Sequence, residues 1–191
     1  MRFIKLIAAA NLLSGVLALP QRLEQRCLTD IDKRATSPKA PTVEEVREWI
    51  KTESGVSVGE NTVFYASPVK DTEATSFAAT IGGTLFSEVF KNKRAYEWMP
   101  IPGPGESAMS KDQQDLIIPH MSQALAEESK VKAWVMLQEG ATISPDGIWI
   151  KYEFPALQKN GVEVWQVAPG GKKKQKYTGK SPVTYEDTAT S

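Results

Sequence analysis

The sequence is poor in the two residue types that most often build metal centres and covalent cross-links. Its 191 residues contain one cysteine, Cys27, and one histidine, His120. One cysteine forms no intramolecular disulfide, and one histidine excludes sites that need two, such as the HExxH zinc motif. We therefore expect a fold stabilised by packing, a functional site without a metal, and a helix-surface position for His120.

Excess charge of one sign is missing as well. The 23 Lys and Arg residues balance the 23 Asp and Glu residues, so no basic surplus favours nucleic acid as a partner. There is no phosphate-binding P-loop motif and no repeat of the solenoid kind. The basic cluster at 172–176 is interpreted as a solvated turn rather than a binding patch. With 41% hydrophobic and 24% charged residues, the composition fits a single globular domain.

The longest apolar run lies at the N-terminus. Residues 6–19 are almost entirely apolar, follow the basic residues Arg2 and Lys5, and precede Pro20. The run is shorter than the roughly 20 residues that a membrane-spanning helix needs. We interpret residues 1–18 as a signal peptide cleaved after Ala18, which predicts a secreted, extracellular protein without a stable membrane anchor. A membrane anchor is the alternative interpretation.

A dibasic pair, Lys33-Arg34, follows in a polar segment. Pairs of this kind are cut by Kex2-type proteases during secretion in fungi. We predict a propeptide at 19–34 and a single catalytic-type domain at 35–191. The alternative is a solvated charge pair in an N-terminal arm.

Local patterns predict the elements of this domain. Thr42 and Glu45 form a capping box at the start of a helix that ends near Gly55. Helices are also predicted from Pro68 to Gly82-Gly83, with Ala74, Phe77 and Ala78 facing inward, and at 112–129 with an interruption at Pro119. Strands are predicted at 62–66, 131–137, 148–154 and 162–167, with turns at 144–147 and 170–174. Residues 84–90 fit a helix or a strand, and 99–111 a long loop.

These elements predict an α/β (α+β) fold in which N-terminal helices are followed by a small central sheet. On the predicted strand 148–154, one face carries Trp149, Lys151 and Glu153. Periodicity alone makes this a solvent-facing group. A glutamate beside a tryptophan is nevertheless the most informative feature of the sequence, because such a pair can also line a site.

Several segments together resemble the ADP-ribosyl cyclase/NAD glycohydrolase family. They are MSQALA at 121–126, the strand at Trp134, IWIKYE at 148–153 with Leu157, and VEVW at 162–165. Upstream, TVFYAS at 62–67 and GTL at 83–85 are similar to that family's aromatic strand end and its T-L-E segment. The similarity covers roughly residues 60 to 170, and it implies an ADP-ribosyl cyclase-like fold and a secreted, fungal-type or toxin-like member.

The resemblance also implies roles for individual residues. Glu153 would be the catalytic glutamate, Ser122 the hydroxyl near the nicotinamide-side ribose and its phosphate, and Tyr65 the aromatic wall, with Trp149 beside it. Phe86 stands where that family has the glutamate of T-L-E, and Ile118 where many members have tryptophan. We expect all five of the residues other than Glu153 to contact substrate.

The implied activity is hydrolysis of the nicotinamide–ribose bond of NAD or NADP to ADP-ribose and nicotinamide, with some cyclisation. NAD would be the substrate, and no cofactor is expected. Phe86 and Ile118 leave a second hypothesis open, a non-enzymatic secreted effector or interaction protein on a degenerate form of the same fold. Transfer of ADP-ribose to a protein is a third.

Overall fold

The computed structural model describes residues 38–102 and 107–186. Residues 1–37, which include Cys27, lie outside the described residues. The signal peptide and the propeptide therefore stay predictions. The helices are α1 (Val43–Thr52), α2 (Asp71–Ile81), α3 (Phe86–Val89), α4 (Lys111–Glu128) and α5 (Phe154–Lys159), with a 3-10 helix at Ala95–Trp98 and π-helical turns at Trp149–Glu153. The strands are β1 (Asn61–Tyr65), β2 (Thr84–Leu85), β3 (Lys132–Met136), β4 (Glu163–Val167) and β5 (Lys174–Lys176).

The strands form one five-stranded sheet in the order β2-β1-β3-β4-β5. Strand β1 pairs in parallel with β2 and β3, and β3 pairs in parallel with β4, whereas β5 is antiparallel to β4. The predicted α+β class with a small central sheet is confirmed, but the helices do not precede the sheet as predicted, since the first strand follows directly after α1. Helices and strands alternate along the chain because parallel neighbours need crossover connections.

Each face of the sheet carries its own apolar cluster. Phe64 and Val135 point to the cluster that α1, α4 and α5 cover, and Val63 and Trp134 point to the cluster that α2 covers. Strand β3 is therefore buried on both faces, and the alternation seen in its sequence does not reappear in its burial. The strands predicted at 62–66, 131–137 and 162–167 correspond to β1, β3 and β4.

The capping box at the start of α1 is confirmed. The Thr42 hydroxyl accepts from the Glu45 amide at 3.2 Å, and the Glu45 carboxylate accepts from the Thr42 amide at 2.7 Å. Helix α2 buries Ala74, Phe77 and Ala78 as predicted, although it begins at Asp71 rather than Pro68. It ends where Gly82 takes the left-handed conformation, with φ 60°, which glycine adopts without steric cost.

Other predictions are refined by the structure. Pro119 lies inside α4, whose bounds match the prediction within a residue. Residues 84–90 are neither purely helix nor purely strand, since β2 runs directly into α3. The basic cluster is a turn only in part, because Lys174–Lys176 form the edge strand β5. No helix among the described residues is both long and apolar enough to span a membrane.

The strand predicted at 148–154 is wrong. This segment is helical, with the amide of Phe154 donating to the carbonyl of Trp149 across a π-type turn that leads into α5. The buried positions are Trp149, Glu153, Ala156 and Leu157, which have the i, i+4, i+7, i+8 spacing of a helix face. Lys151, predicted to share a face with Glu153, is exposed and pairs with Asp146 at 2.7 Å.

Candidate functional site

A cavity of about 570 Å³ opens at the carboxyl ends of the parallel strands β1, β2 and β3. Strand β1 connects to β2 on one side of it in the sheet, whereas β3 and β4 lie on its other side. The cavity therefore lies where the strand order reverses. Ligands of open α/β sheets bind at such points. All six residues predicted for the site line this cavity: Tyr65, Phe86, Ile118, Ser122, Trp149 and Glu153.

Among the described residues that line the cavity, Glu153 is the only one with a carboxylate. It is 7% exposed, and one of its oxygens accepts a hydrogen bond from the Ser122 hydroxyl on α4. Burial raises the pKa of Glu153 to about 7, against the smaller opposite effect of the Ser122 hydrogen bond. The site therefore holds a carboxylate that changes its charge near neutral pH.

Helical spacing brings Glu153 to the cavity beside Trp149. Trp149 and Glu153 are four residues apart, and both are buried and line the cavity. Pro155, at the start of α5, has no amide hydrogen to donate, so a regular α-helical ladder through this point would be incomplete. Wide turns of this kind occur often at functional sites.

Large apolar side chains stay exposed at the cavity mouth. Tyr65 is 36% exposed and Ile118 is 39% exposed. Phe86 is half-buried and packs on Phe90, with ring centroids 4.6 Å apart. An apolar surface that remains open beside a buried carboxylate is suited to a ligand with a flat or apolar part and a positive charge.

Trp149 contributes to the wall in a different way from Tyr65. Trp149 is 3% exposed, its ring packs against Phe64, Phe154 and Tyr177, and its Nε1 donates to the Tyr177 hydroxyl at 2.9 Å. Most of the indole is thus covered by protein. Tyr65 offers the open aromatic surface, and Trp149 supports the segment that carries Glu153.

One part of the lining was missed by the sequence reasoning. Thr142, Ile143, Ser144 and Gly147 come from the connection after β3, which the pattern indicated only as a tight turn between two strands. The Ile143 amide donates to the Ser181 hydroxyl at 3.1 Å, which anchors this loop. The Ser-Pro-Asp-Gly sequence was the available signal, and it identifies a turn without identifying what the turn lines.

No lysine, arginine or histidine lines the cavity among the described residues. The His120 ring instead lies 2.7 Å from the carbonyl oxygen of Pro41, through Nδ1. Within the described ranges, His, Cys, Asp and Glu side chains nowhere gather in a group of three or more that could hold a metal ion. The hydroxyls of Ser67, Thr142 and Ser144 are further neutral hydrogen-bonding groups of the lining, besides those of Tyr65 and Ser122.

Comparison with known proteins gave structural similarities only. No family model and no curated protein sequence matches the chain. Among solved structures, it is similar to an ADP-ribosyl cyclase complexed with N1-cIDPR, at 15% identity over 75% of this chain and 64% of that one, with a TM-score of 0.47. It is also similar to Aplysia cyclase complexed with the substrate NGD and product cGDPR, at 17% identity over 75% and 63%, with a TM-score of 0.48.

A third similar structure is porcine CD38 complexed with a covalent intermediate, at 14% identity over 77% of this chain and 73% of that one, with a TM-score of 0.47. The match spans less than two thirds of the length of either cyclase. At these identities and scores the similarity does not establish a family. The function is therefore inferred from the residues of the cavity.

Ionisation of Glu153 should cost folding stability. Its pKa rises from an ordinary 4.5 to about 7 in the fold, so between these values the folded chain keeps a proton that the unfolded chain has lost. Stability contributed by this group is then fully present below pH 4.5, falls as the pH rises to about 7, and stays lost above it. We expect Glu153→Gln to be more stable than the wild type by about 3 kcal/mol at pH 8.

Thermal or urea unfolding of both proteins at pH 4 and pH 8 measures this difference. The gap should nearly vanish at pH 4, where both side chains are uncharged. An equal gap at the two pH values would contradict a raised pKa at Glu153.

Proposed function

We propose that the protein is a secreted glycohydrolase that cleaves the nicotinamide–ribose bond of NAD or NADP, giving ADP-ribose and nicotinamide, with cyclisation as a second outcome. The proposal rests on one observation. A buried carboxylate, Glu153, is held by Ser122 in a cavity with an open apolar and aromatic rim. The resemblance of the segments around Ser122 and Glu153 to NAD glycohydrolases also supports it.

The chemistry of this bond suits such a site. The carbon–nitrogen bond breaks with its electron pair going to the pyridinium nitrogen, so nicotinamide leaves neutral and the ribose becomes an oxocarbenium-like cation. Water adds to that carbon and releases a proton. A fixed negative charge in a cavity of low dielectric stabilises the developing cation without acting as an acid.

The groups around Glu153 match the parts of this reaction. Tyr65 gives a face for stacking the nicotinamide ring. Ser122 holds the carboxylate and can share hydrogen bonds with ribose hydroxyls. The cavity volume, about 570 Å³, lies in the range of ordinary small-molecule sites.

Nicotinamide release from NAD and NADP tests the proposal directly. The purified chain starting at Ala35 should release nicotinamide, and Glu153→Gln should lower the rate more than about a hundredfold, because one preorganised charge is removed. Glu88→Gln is the matched control, since Glu88 is exposed on α3 and does not line the cavity. Chromatography of the products separates ADP-ribose from its cyclic form.

Retained activity in Glu153→Gln would remove Glu153 from the mechanism. No release by folded wild-type protein would overturn the proposed activity.

The pH profile should report the ionisation of Glu153. Because the charged form is the active one and burial raises its pKa to about 7, kcat/KM should rise with pH through a limb near neutrality. Ser122→Ala removes a hydrogen bond that lowers this pKa, so the limb should move to higher pH. A limb that stays in place in Ser122→Ala would mean that another group controls the rate.

Substrate phosphates should matter little to recognition. No described lining residue carries a positive charge, so the pyrophosphate and the 2′-phosphate of NADP meet no cationic partner in the cavity. We expect kcat/KM for NAD and NADP to agree within roughly tenfold and to change little between low and high salt. Steady-state kinetics at two salt concentrations measures this, and a steep fall with salt would reveal a cationic subsite outside the described lining.

The same charge pattern favours a second candidate function. Phe86 and Ile118 are apolar, and a cavity whose described lining carries no cation could bind a nucleotide or another ligand without turning it over. This would be a non-enzymatic secreted effector or interaction protein. Saturable NAD binding without nicotinamide release would support it, and Glu153-dependent release would exclude it.

A further inference from the structure

Three elements meet at one carboxylate oxygen beside the cavity mouth. The Tyr65 hydroxyl, at the end of β1, donates to Oδ1 of Asp71 at 3.1 Å, and the Ser87 hydroxyl on α3 donates to the same oxygen at 3.3 Å. Asp71 is the first residue of α2. Among these three residues only Tyr65 lines the cavity, so the direct route from Asp71 to a ligand runs through the tyrosine.

The position of Asp71 is fixed by backbone hydrogen bonds of the two residues before it. Just before it, the buried Val69 donates its amide to the carbonyl of Ala66 at 3.1 Å, and the carbonyl of Lys70 accepts from the amides of Glu73 and Ala74 at 3.0 and 3.3 Å. A carboxylate in the first turn of a helix is also stabilised by the helix dipole. The hydrogen-bond acceptor is therefore anchored.

The Tyr65 ring, in contrast, is 36% exposed, and the hydrogen bond to Asp71 restricts its rotation. Burial and the adjacent Asp71 raise the pKa of the phenol, which keeps it protonated as the donor. An exposed aromatic ring that is already held in place loses little conformational freedom when a ligand stacks on it. Without the restraint, binding has to order the ring first.

We propose that Asp71 is a positioning residue that holds the Tyr65 ring across the cavity mouth as the surface on which the nicotinamide ring stacks. This inference rests on the proposed function. It assigns to Asp71 an effect on affinity, while Glu153 controls the chemical step.

Asp71→Ala tests this assignment. Loss of the restraint should raise KM for NAD roughly fivefold while kcat stays within about twofold. Tyr65→Phe keeps the ring and loses the same hydrogen bond, so it should show the same rise, and the double variant should be no worse than either single one. Asp71→Asn should rescue KM, because its amide oxygen still accepts from the phenol.

Glu73→Ala is the matched control for helix damage. Glu73 is the other acidic residue in the first turn of α2, and it accepts from the Lys70 amide without contacting Tyr65. It should lower the melting temperature and leave KM unchanged. An equal KM rise in Glu73→Ala, an unchanged KM in Asp71→Ala, or additive effects of Asp71→Ala and Tyr65→Phe would overturn the proposal.

Equilibrium dialysis of NAD separates this inference from the proposed function. In the Glu153→Gln background, where turnover is removed, adding Asp71→Ala should weaken NAD binding by a similar factor. If the wild-type protein binds NAD in a way that depends on Asp71 but releases no nicotinamide, the inference stands and the proposed enzyme activity is overturned. Turnover of NAD that does not depend on Asp71 would support the proposed enzyme activity and overturn the inference. A protein that neither binds NAD nor turns it over would overturn both.

Discussion

Burial of the Glu153 carboxylate is the constraint on which the site depends. The side chain reaches Ser122 only because α4 and the helix beginning at Trp149 pack on the same face of the sheet, through apolar neighbours such as Met121 and Leu157. Packing thus determines how far the carboxylate is from water, and that distance determines its pKa. The same burial opposes folding once the group ionises, which is a common relation between reactive sites and stability.

Much of the fold could be predicted because local signals agree with the tertiary structure. The capping box at Thr42 and Glu45 needs only four residues, β1 follows from a run of β-branched and aromatic residues, and β3 follows from alternating apolar residues. The segment 148–154 could not be predicted in this way. The buried face of this helix includes Glu153, and because glutamate is polar, the apolar spacing of a helix is not visible in the sequence. The isoleucines and aromatic residues of the same segment alternate with other residues, which is the pattern of a strand.

Some of the cavity residues could be predicted from local sequence patterns, and others could not. Trp149 and Glu153, four positions apart, lie on one face in a strand and also in a helix. The prediction that they lie together is therefore correct, although the predicted secondary structure is wrong. Lys151 did not, because positions two apart share a face only in a strand. The loop residues Thr142 to Gly147 and the Tyr65–Asp71 contact depend on distant parts of the chain, and no local period encodes them.

The loop that completes the cavity is tied to residues far downstream. Gly140 and Ala141 exchange backbone hydrogen bonds with Val183, and the Tyr185 hydroxyl donates to the carbonyl of Leu137, 48 residues earlier. Tyr177, next to Trp149, also comes after the sheet's parallel strands. During synthesis, the ribosome must therefore release these late residues before the cavity wall can close, so a nascent chain carries Ser122 and Glu153 for some time without a finished site.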